Sequence, residues 1–448
     1  MSENRYNKQT FNREVRSELR LQARNSAANS KSSFELKPEN ELRIVVGKNS
    51  DVKIELSSGL AEIYGSEMEL NKKYFLSPNS FIAVFTWHGC VIKLSGKPED
   101  AYIITNTQMI LNVVLHASLE EHRLQAVAEN KKGPVIFIVG PNDVNRNALC
   151  RLLLNYAVRL GRCPLFIDLD VGQNSISLPS TIGILTVKKP SDIVSGFDDH
   201  AVQVYQYGYR SPWQKMRLYS LLVQRLSQII QSRLRRANQN VRTSGVIING
   251  CDWSKSEILH HGYAAITLVA MNFEIDILCV LQEEPLYLQL KKDMPSRVNV
   301  IFIPKMEGDV ERNRYEKSED REACIRKYFY GPINQVQPFT FEIKYSDIKV
   351  FKVQARPINR YSYALDDIKQ DDLELMPVLL SPKLIDQILG LSSADDEHED
   401  IIYMPVIGFI CITGVDIARN RIRVLSPQPS PLKKKIFLLG ETRIKKCH

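Results

Sequence analysis

Two rhythms of apolar residues divide this chain. Over 52–56 (Val-Lys-Ile-Glu-Leu) apolar and polar residues alternate, the period of a strand with one buried face. Short segments at 61–64, 73–76, 82–87 and 91–94 follow, broken by Gly, Asn, Pro and Ser, so a small module of sandwich or jelly-roll type is expected. Residues 109–127 then show helical spacing. From 134 to 330 the rhythm changes. Continuous apolar runs at 135–139, 165–169, 246–248, 275–281 and 298–303 are what strands buried on both faces require. Helix-patterned stretches at 147–162, 216–234 and 257–271 lie between them, which predicts an α/β architecture. Short strands return at 339–343, 348–353, 407–412 and 422–425, and the acidic stretch 392–400 reads as a solvated loop. The first 34 residues are polar and carry Arg5, Arg13, Arg16, Arg20 and Arg24, the composition of a mobile arm.

The apolar run 135–139 leads into Gly140-Pro-Asn-Asp-Val-Asn-Arg-Asn147, and a helix pattern leads out of it. A phosphate-binding loop reads G-x-x-x-x-G-K-[ST] in that context. The first glycine and the spacer length are kept. The second glycine is Asn145, the lysine Arg146 and the hydroxyl residue Asn147. Asn tolerates the left-handed backbone that the glycine supplies. Arg146 keeps the positive charge, but its planar fork is wider and aims differently from an ammonium. Asn147 offers a carbonyl oxygen where a hydroxyl would ligate Mg²⁺. Each lost hydrogen bond to a charged group is worth roughly 1.5–3 kcal/mol, so losing two or three slows a phosphoryl transfer by about 10³- to 10⁶-fold. The plainer alternative is a strand-to-helix turn with no ligand.

Asp168 and Asp170, in Leu165-Phe-Ile-Asp-Leu-Asp-Val-Gly-Gln173, fall at the carboxyl end of the second strand, where α/β folds place their sites. A carboxylate there can hold Mg²⁺ or accept a proton from an attacking hydroxyl; capping the next turn is the alternative. The basic segment 310–317, with Arg321 and Arg326 beyond it, reads either as a lid over phosphates or as a solvated charged helix. Trp253 follows another strand end and reads as a base-stacking residue or a core tryptophan.

Composition narrows the setting. In 448 residues, 59 basic and 51 acidic side chains give a formal charge of +8, an excess compatible with nucleic acid without requiring it. The 8 cysteines form no C-x-x-C pair, the usage of free thiols in a reducing compartment. No run reaches membrane-spanning length and Met-Ser-Glu-Asn-Arg is no signal peptide, so a cytosolic or nuclear protein without membrane contact is expected.

Longer stretches carry a family resemblance: Ala61-Glu-Ile-Tyr-Gly, Ala83-Val-Phe-Thr-Trp-His-Gly-Cys90, Cys150-Arg-Leu-Leu-Leu-Asn-Tyr-Ala-Val-Arg-Leu-Gly-Arg162, Leu169-Asp-Val-Gly-Gln173 and Tyr328-Phe-Tyr-Gly331. With these the chain resembles the Clp-type polynucleotide 5′-hydroxyl kinases, which include a subunit of pre-mRNA cleavage factor II. The resemblance implies a central P-loop-type parallel sheet with helices over 131–331. A basic arm (1–34) and an N-terminal β-sandwich-like domain with its linking helix (35–130) precede it, and a C-terminal β-rich domain (332–448) follows. It implies Asp170 as metal- and hydroxyl-binding residue, Arg312 and Lys317 as lid cations, Trp253 as RNA-stacking residue, and Asn147 with Asp170 around Mg²⁺. The nucleotide set it implies is Glu41, Phe81, Gly140, Asp143, Val144, Asn145, Arg146, Asn147 and Ala148; Phe81 stands where relatives place a lysine. ATP and Mg²⁺ are the implied cofactors, with weak binding expected from the altered loop. The implied partners are the scaffold subunit of cleavage factor II, other 3′-processing factors, RNA and, as for some members, the tRNA splicing endonuclease, in the nucleus. Three functions follow: a non-catalytic assembly subunit, favoured by the loop; an active RNA 5′-kinase also serving tRNA splicing; and an ATP-binding switch without turnover.

Overall fold

The computed structural model describes residues 32–48, 50–141, 144–197, 202–253, 262–304, 314–331, 336–355 and 373–444. These divide into two compact units: one holds the residues up to Ile110 together with Asp192–Ser195, the other holds the rest.

The smaller unit is built from two antiparallel sheets. One has the order Ser32–Leu36, Cys90–Ser95, Val52–Gly59, Lys73–Leu76; the other runs Ser66–Glu67, Glu62–Ile63, Phe81–Phe85, Glu41–Val45, Asp100–Ile104. The alternation along Val52–Gly59 does what its period dictates, turning Val52, Ile54 and Leu56 inward while Lys53 and Glu55 stay half-exposed. Leu36, Leu42, Ile44, Val84, Ile92 and Leu94 complete the core between the sheets, a sandwich into which Ile193 also packs. The first strand begins at Ser32, within the stretch whose polarity reads as an arm.

The larger unit is organised by one continuous sheet. Its parallel part has the order Asn299–Ile303, Ile277–Leu281, Val135–Pro141, Val246–Trp253, Leu165–Asp168, and all five are the expected apolar runs. Two strands not evident in the apolar pattern, Thr181–Thr186 and Gln203–Gln206, extend it in antiparallel sense. A single pairing, Val204 with Val406, then joins it to the C-terminal strands. Within those, Lys349–Ala355 runs parallel to Ile436–Arg443 and antiparallel to Leu373–Pro377, with Gln387–Ser392 and Val406–Asp416 nearer the centre. The helix Arg314–Tyr330 secures the junction: Ile325 and Phe329 are buried with Leu178, Val204, Ile388, Val406 and Phe409. The Tyr328 hydroxyl also accepts the Phe409 amide at 2.8 Å.

Helices cover the parallel sheet. Val144–Arg159 begins three residues earlier than its apolar pattern suggests and buries Leu149, Leu152, Leu153 and Leu154. It stops at Gly161 (φ +76°), where Arg162 N–H reaches the Ala157 carbonyl (3.0 Å) and Gly161 N–H that of Val158 (2.9 Å), a left-handed ending suited to glycine. Met216–Arg236 buries Leu218, Leu222, Leu226, Ile230 and Leu234 at helical spacing. Of the stretch expected as a helix over 257–271, Tyr263–Asn272 is helical and 257–261 lie outside the described residues. No helix among the described residues is long and apolar enough to cross a membrane. The seven cysteines within them are free thiols, and burial raises those of Cys150, Cys251 and Cys279, the last up to about 12.

Met109–Ala128 buries His116 edge-on to Tyr156, ring centroids 5.3 Å apart, and Nδ1 has no hydrogen-bond partner among the described residues. Burial, reinforced by Arg123, pushes the imidazole down to about 4, while Glu120 acts the other way. The folded state therefore resists protonation that an unfolded His accepts near pH 6.5. This contribution is complete above about pH 6.5 and is lost as pH falls toward 4. His116→Phe is expected to lose less thermal stability than the parent between pH 7 and 4.5; parallel thermal melts across that range check it, and equal losses would show that another group governs the acid limb.

Candidate functional site

Parallel pairing brings three strand ends to one edge. Gly140 stands in register with Asp252, and Asp168 with Asn249. Val135–Pro141 and Leu165–Asp168 flank Val246–Trp253, so the chain leaves the first, forms a helix and returns two positions away. Such a crossing leaves a crevice at the carboxyl edge, where α/β folds bind ligands. The close fit there needs glycine at 140: a Cβ would stand 2.7 Å from the Leu281 Cβ.

Arg146, in the first turns of the helix Val144–Arg159, turns inward from that position. It is only 2% exposed. Its Nε donates to Asn249 Oδ1 (2.9 Å), and Nη1 donates to the carbonyls of Gly140 (3.1 Å) and Cys251 (3.0 Å). Nη2 donates to Asp170 Oδ2 at 2.5 Å, forming a fully buried ion pair. The other oxygen, Asp170 Oδ1, accepts the amides of Gly172 (2.9 Å) and Gln173 (3.1 Å). Asp170 lies two residues past the end of its strand, and these amides fix the carboxylate against the turn.

Asn249 is the centre of the arrangement and is fully buried. Its oxygen accepts from Arg146, while Nδ2 donates to Asp168 Oδ1 (2.8 Å) and Asn147 Oδ1 (2.9 Å). Asp168 Oδ2 accepts both the amide (2.7 Å) and the hydroxyl (2.5 Å) of Ser175. Burial, then repulsion from Asp170, raises the Asp168 carboxyl to about 6 against the pull of the Ser175 bonds. The carbonyl of Asn147 that would stand in for a metal-binding hydroxyl thus accepts a protein donor.

The other residues expected at the site fall on several elements. Ala148 follows Asn147 on the loop helix and is half-buried. Val144 and Asn145 open that helix, and Asp143 lies outside the described residues. Trp253 ends its strand with backbone in register with Pro141. Lys317 is buried on the helix Arg314–Tyr330, and Arg312 lies outside the described residues. Glu41 and Phe81 belong to the smaller unit, on paired strands, joined through Arg43. Its Nε donates to Glu41 Oε1 (2.5 Å), and its guanidinium carbon lies 5.8 Å from the Phe81 ring centre. Sequence reasoning passed over Asn249, Ser175 and Arg43. Asn249 had one signal: a polar amide directly after the fully buried run Val246-Ile-Ile248.

Three family models match in succession. An N-terminal β-sandwich domain of polyadenylation factor covers 35–126, the P-loop region of mRNA cleavage and polyadenylation factor Clp1 covers 140–331, and pre-mRNA cleavage complex II protein Clp1 covers 336–444. The polyribonucleotide 5′-hydroxyl-kinase Clp1 of Gallus gallus is 41% identical over 413 residues, 92% of this chain and 96% of the relative; that of Homo sapiens is 40% identical over the same shares. The chain belongs to the Clp1 family. An Anopheles gambiae Clp1 homologue is 39% identical over 93% of this chain. In fold, the chain matches two solved structures of Clp1p with Pcf11p, with TM-scores of 0.78 and 0.77, 24% identity, and coverage of 93% of this chain and 99% of theirs. One of the two is a glycine-to-arginine point mutant described with a structural basis for ATP loss.

Membership of a P-loop kinase family implies ATP, and Mg²⁺ with it. The side chains do not fit that pair in this arrangement. The cation meant for phosphates is bonded to Asp170 and Asn249, the metal-ligand position at 147 accepts from Asn249, and both oxygens of Asp170 accept protein donors. Arginine cannot release its proton, so the pair does not open by titration of Arg146.

Removing either partner of a buried pair strands a charge. Arg146→Ala and Asp170→Ala are each expected to destabilise the fold by about 3–5 kcal/mol. The double variant should lose clearly less than the sum, because each single variant strands the other partner's charge and the double variant strands neither. Chemical denaturation of the four proteins measures the coupling; additive losses would rule the pair out as a unit.

Proposed function

We propose that this chain is a non-catalytic subunit of the nuclear mRNA 3′-end cleavage and polyadenylation machinery, using a kinase fold as an assembly platform. The ion pair of Arg146 with Asp170 carries this reading. A phosphoryl-transfer enzyme needs its carboxylate available to the metal or the attacking hydroxyl and its loop cation available to the phosphates. In this chain each takes the other. ATP, where it binds, is held weakly through backbone N–H groups and the dipole of the helix Val144–Arg159, with little dependence on Mg²⁺.

Partner choice follows the relatives. Clp1p is solved in complex with Pcf11p, and the match of this chain to that fold over 93% of its length supports an equivalent scaffold subunit as partner. RNA is the macromolecular substrate named for the kinase relatives, and exposed basic groups such as Arg235, Arg236, Lys433 and Lys435 offer non-specific phosphate contacts. The competing reading, an active RNA 5′-kinase, is supported by the names of the relatives and by the retention of Asp170.

Two measurements separate these readings. With labelled ATP and a 5′-hydroxyl RNA, transfer is expected to be absent or at least about 10³-fold slower than for an intact-loop relative, the loss of two or more charged hydrogen bonds. Robust transfer abolished by Asp170→Ala would defeat the non-catalytic reading. In cells depleted of the protein, Asp170→Asn, which keeps the shape of the side chain and is compared at equal folded abundance and partner recovery, is expected to restore 3′-end cleavage; its failure with folding and partner binding intact would return the function to chemistry.

A further inference from the structure

The carboxyl edge of the parallel sheet collects more acceptors than a dry interior tolerates. Asp168 and Asp170 are both fully buried, and the carbonyls of Gly140 and Cys251 converge on the same point. Such a cluster requires a cation with directed donors. In a nucleotide-binding loop, metal and phosphate come and go with the ligand while the loop lysine points to the phosphates. Here the loop cation points to the acceptors of the sheet edge.

The geometry points to Arg146 as an internal cation that ties the start of the helix Val144–Arg159 to the strand ends, with Asn249 as the positioning residue that aims it, so that stability and partner docking are independent of nucleotide. This rests on the non-catalytic reading and extends it to regulation. One guanidinium ties together three strand ends: the Gly140 carbonyl on the first, the Cys251 carbonyl and Asn249 amide on the second, and Asp170 after the third. Asn249 closes the circuit by donating to Asp168 and to Asn147, whose helix carries Arg146 itself. The tie is thus cross-braced from both sides of the loop. A ligand that needed the cation would first have to break the ion pair and leave Asp170 uncompensated.

The decisive experiment uses the full chain and Mg-ATP. Thermal melts and scaffold-subunit affinity are measured with and without about 5 mM Mg-ATP, a concentration at which a micromolar binder gains several degrees by linkage. The parent is expected to shift by less than about 1 °C, the scale of a ligand far below saturation, and to keep its partner affinity within about twofold. Arg146→Lys keeps the charge but loses the fork, and Asn249→Ala removes the aim; both are expected to melt lower without nucleotide. The triple change Asn145→Gly, Arg146→Lys, Asn147→Ser is expected to melt lower alone and to recover several degrees with Mg-ATP. A shift of several degrees in the parent, or a tenfold change in its partner affinity on adding Mg-ATP, would overturn the tie while leaving a non-catalytic subunit intact. Arg146→Lys and Asn249→Ala both as stable as the parent would also overturn it. Phosphate transfer to RNA would instead defeat the underlying reading. Where variants do not fold, the Mg-ATP titration of the parent decides alone.

Discussion

A guanidinium and a carboxylate, each about as buried as a core leucine, face one another at the carboxyl edge of the sheet. Isolated, either charge would carry a desolvation penalty of several kcal/mol. Paired, they still owe much of their tolerance to neighbours: two backbone amides on the other Asp170 oxygen, two carbonyls and an amide oxygen on Arg146. A buried ion pair of this kind is not by itself evidence of high stability, since well-packed apolar residues can do as well. What it fixes is geometry. The strand ends, the turn after Asp168 and the first turns of the loop helix hold one arrangement, because displacing any of them strands a charge.

That constraint needs a rigid frame, which the parallel sheet supplies. Asn249 is held by pairing on both sides, since its strand lies between Val135–Pro141 and Leu165–Asp168. The same sheet runs on through Thr181–Thr186 and Gln203–Gln206 to the C-terminal strands, where Phe329 and Tyr328 of the helix Arg314–Tyr330 fasten the seam. Packed cores shift between discrete arrangements and do not deform smoothly, so a fixed loop and a continuous sheet favour a platform whose docking surface is constant.

The parallel strands were legible because strands buried on both faces read as unbroken apolar runs. The loop was legible because its spacing and strand-to-helix context survive the change of residues. The direction of Arg146 was not, for it depends on Asn249, 103 positions away, and on a backbone carbonyl that any residue could offer. The strands Thr181–Thr186 and Gln203–Gln206 escaped because polar residues, glycine and short length hide their period. The continuity of the sheet escaped for a related reason. It rests on one pairing, Val204 with Val406, and on a helix whose sequence is mostly charged and whose core residues, Ile325 and Phe329, lie in its last two turns. Glu41 and Phe81 lie on strands brought together by long-range backbone pairing, and Arg43, two residues along from Glu41, contacts both.

The replaced loop residues act as a set. A lysine at 146 would present three donors from a single nitrogen, which cannot reach the Asn249 oxygen, two separate carbonyls and Asp170 together; the arginine fork can. Directing the fork inward uses the oxygen of Asn249, which turns its nitrogen toward Asp168 and position 147. An asparagine there offers an acceptor at the length needed to meet it at 2.9 Å, whereas a hydroxyl sits closer to its own backbone. The changes at 146 and 147 are therefore coupled through one amide that is common to both. Read singly, each weakens a phosphate site. Read together, they build a different one, in which a positive side chain answers the negative edge of the sheet that phosphate and metal would otherwise share.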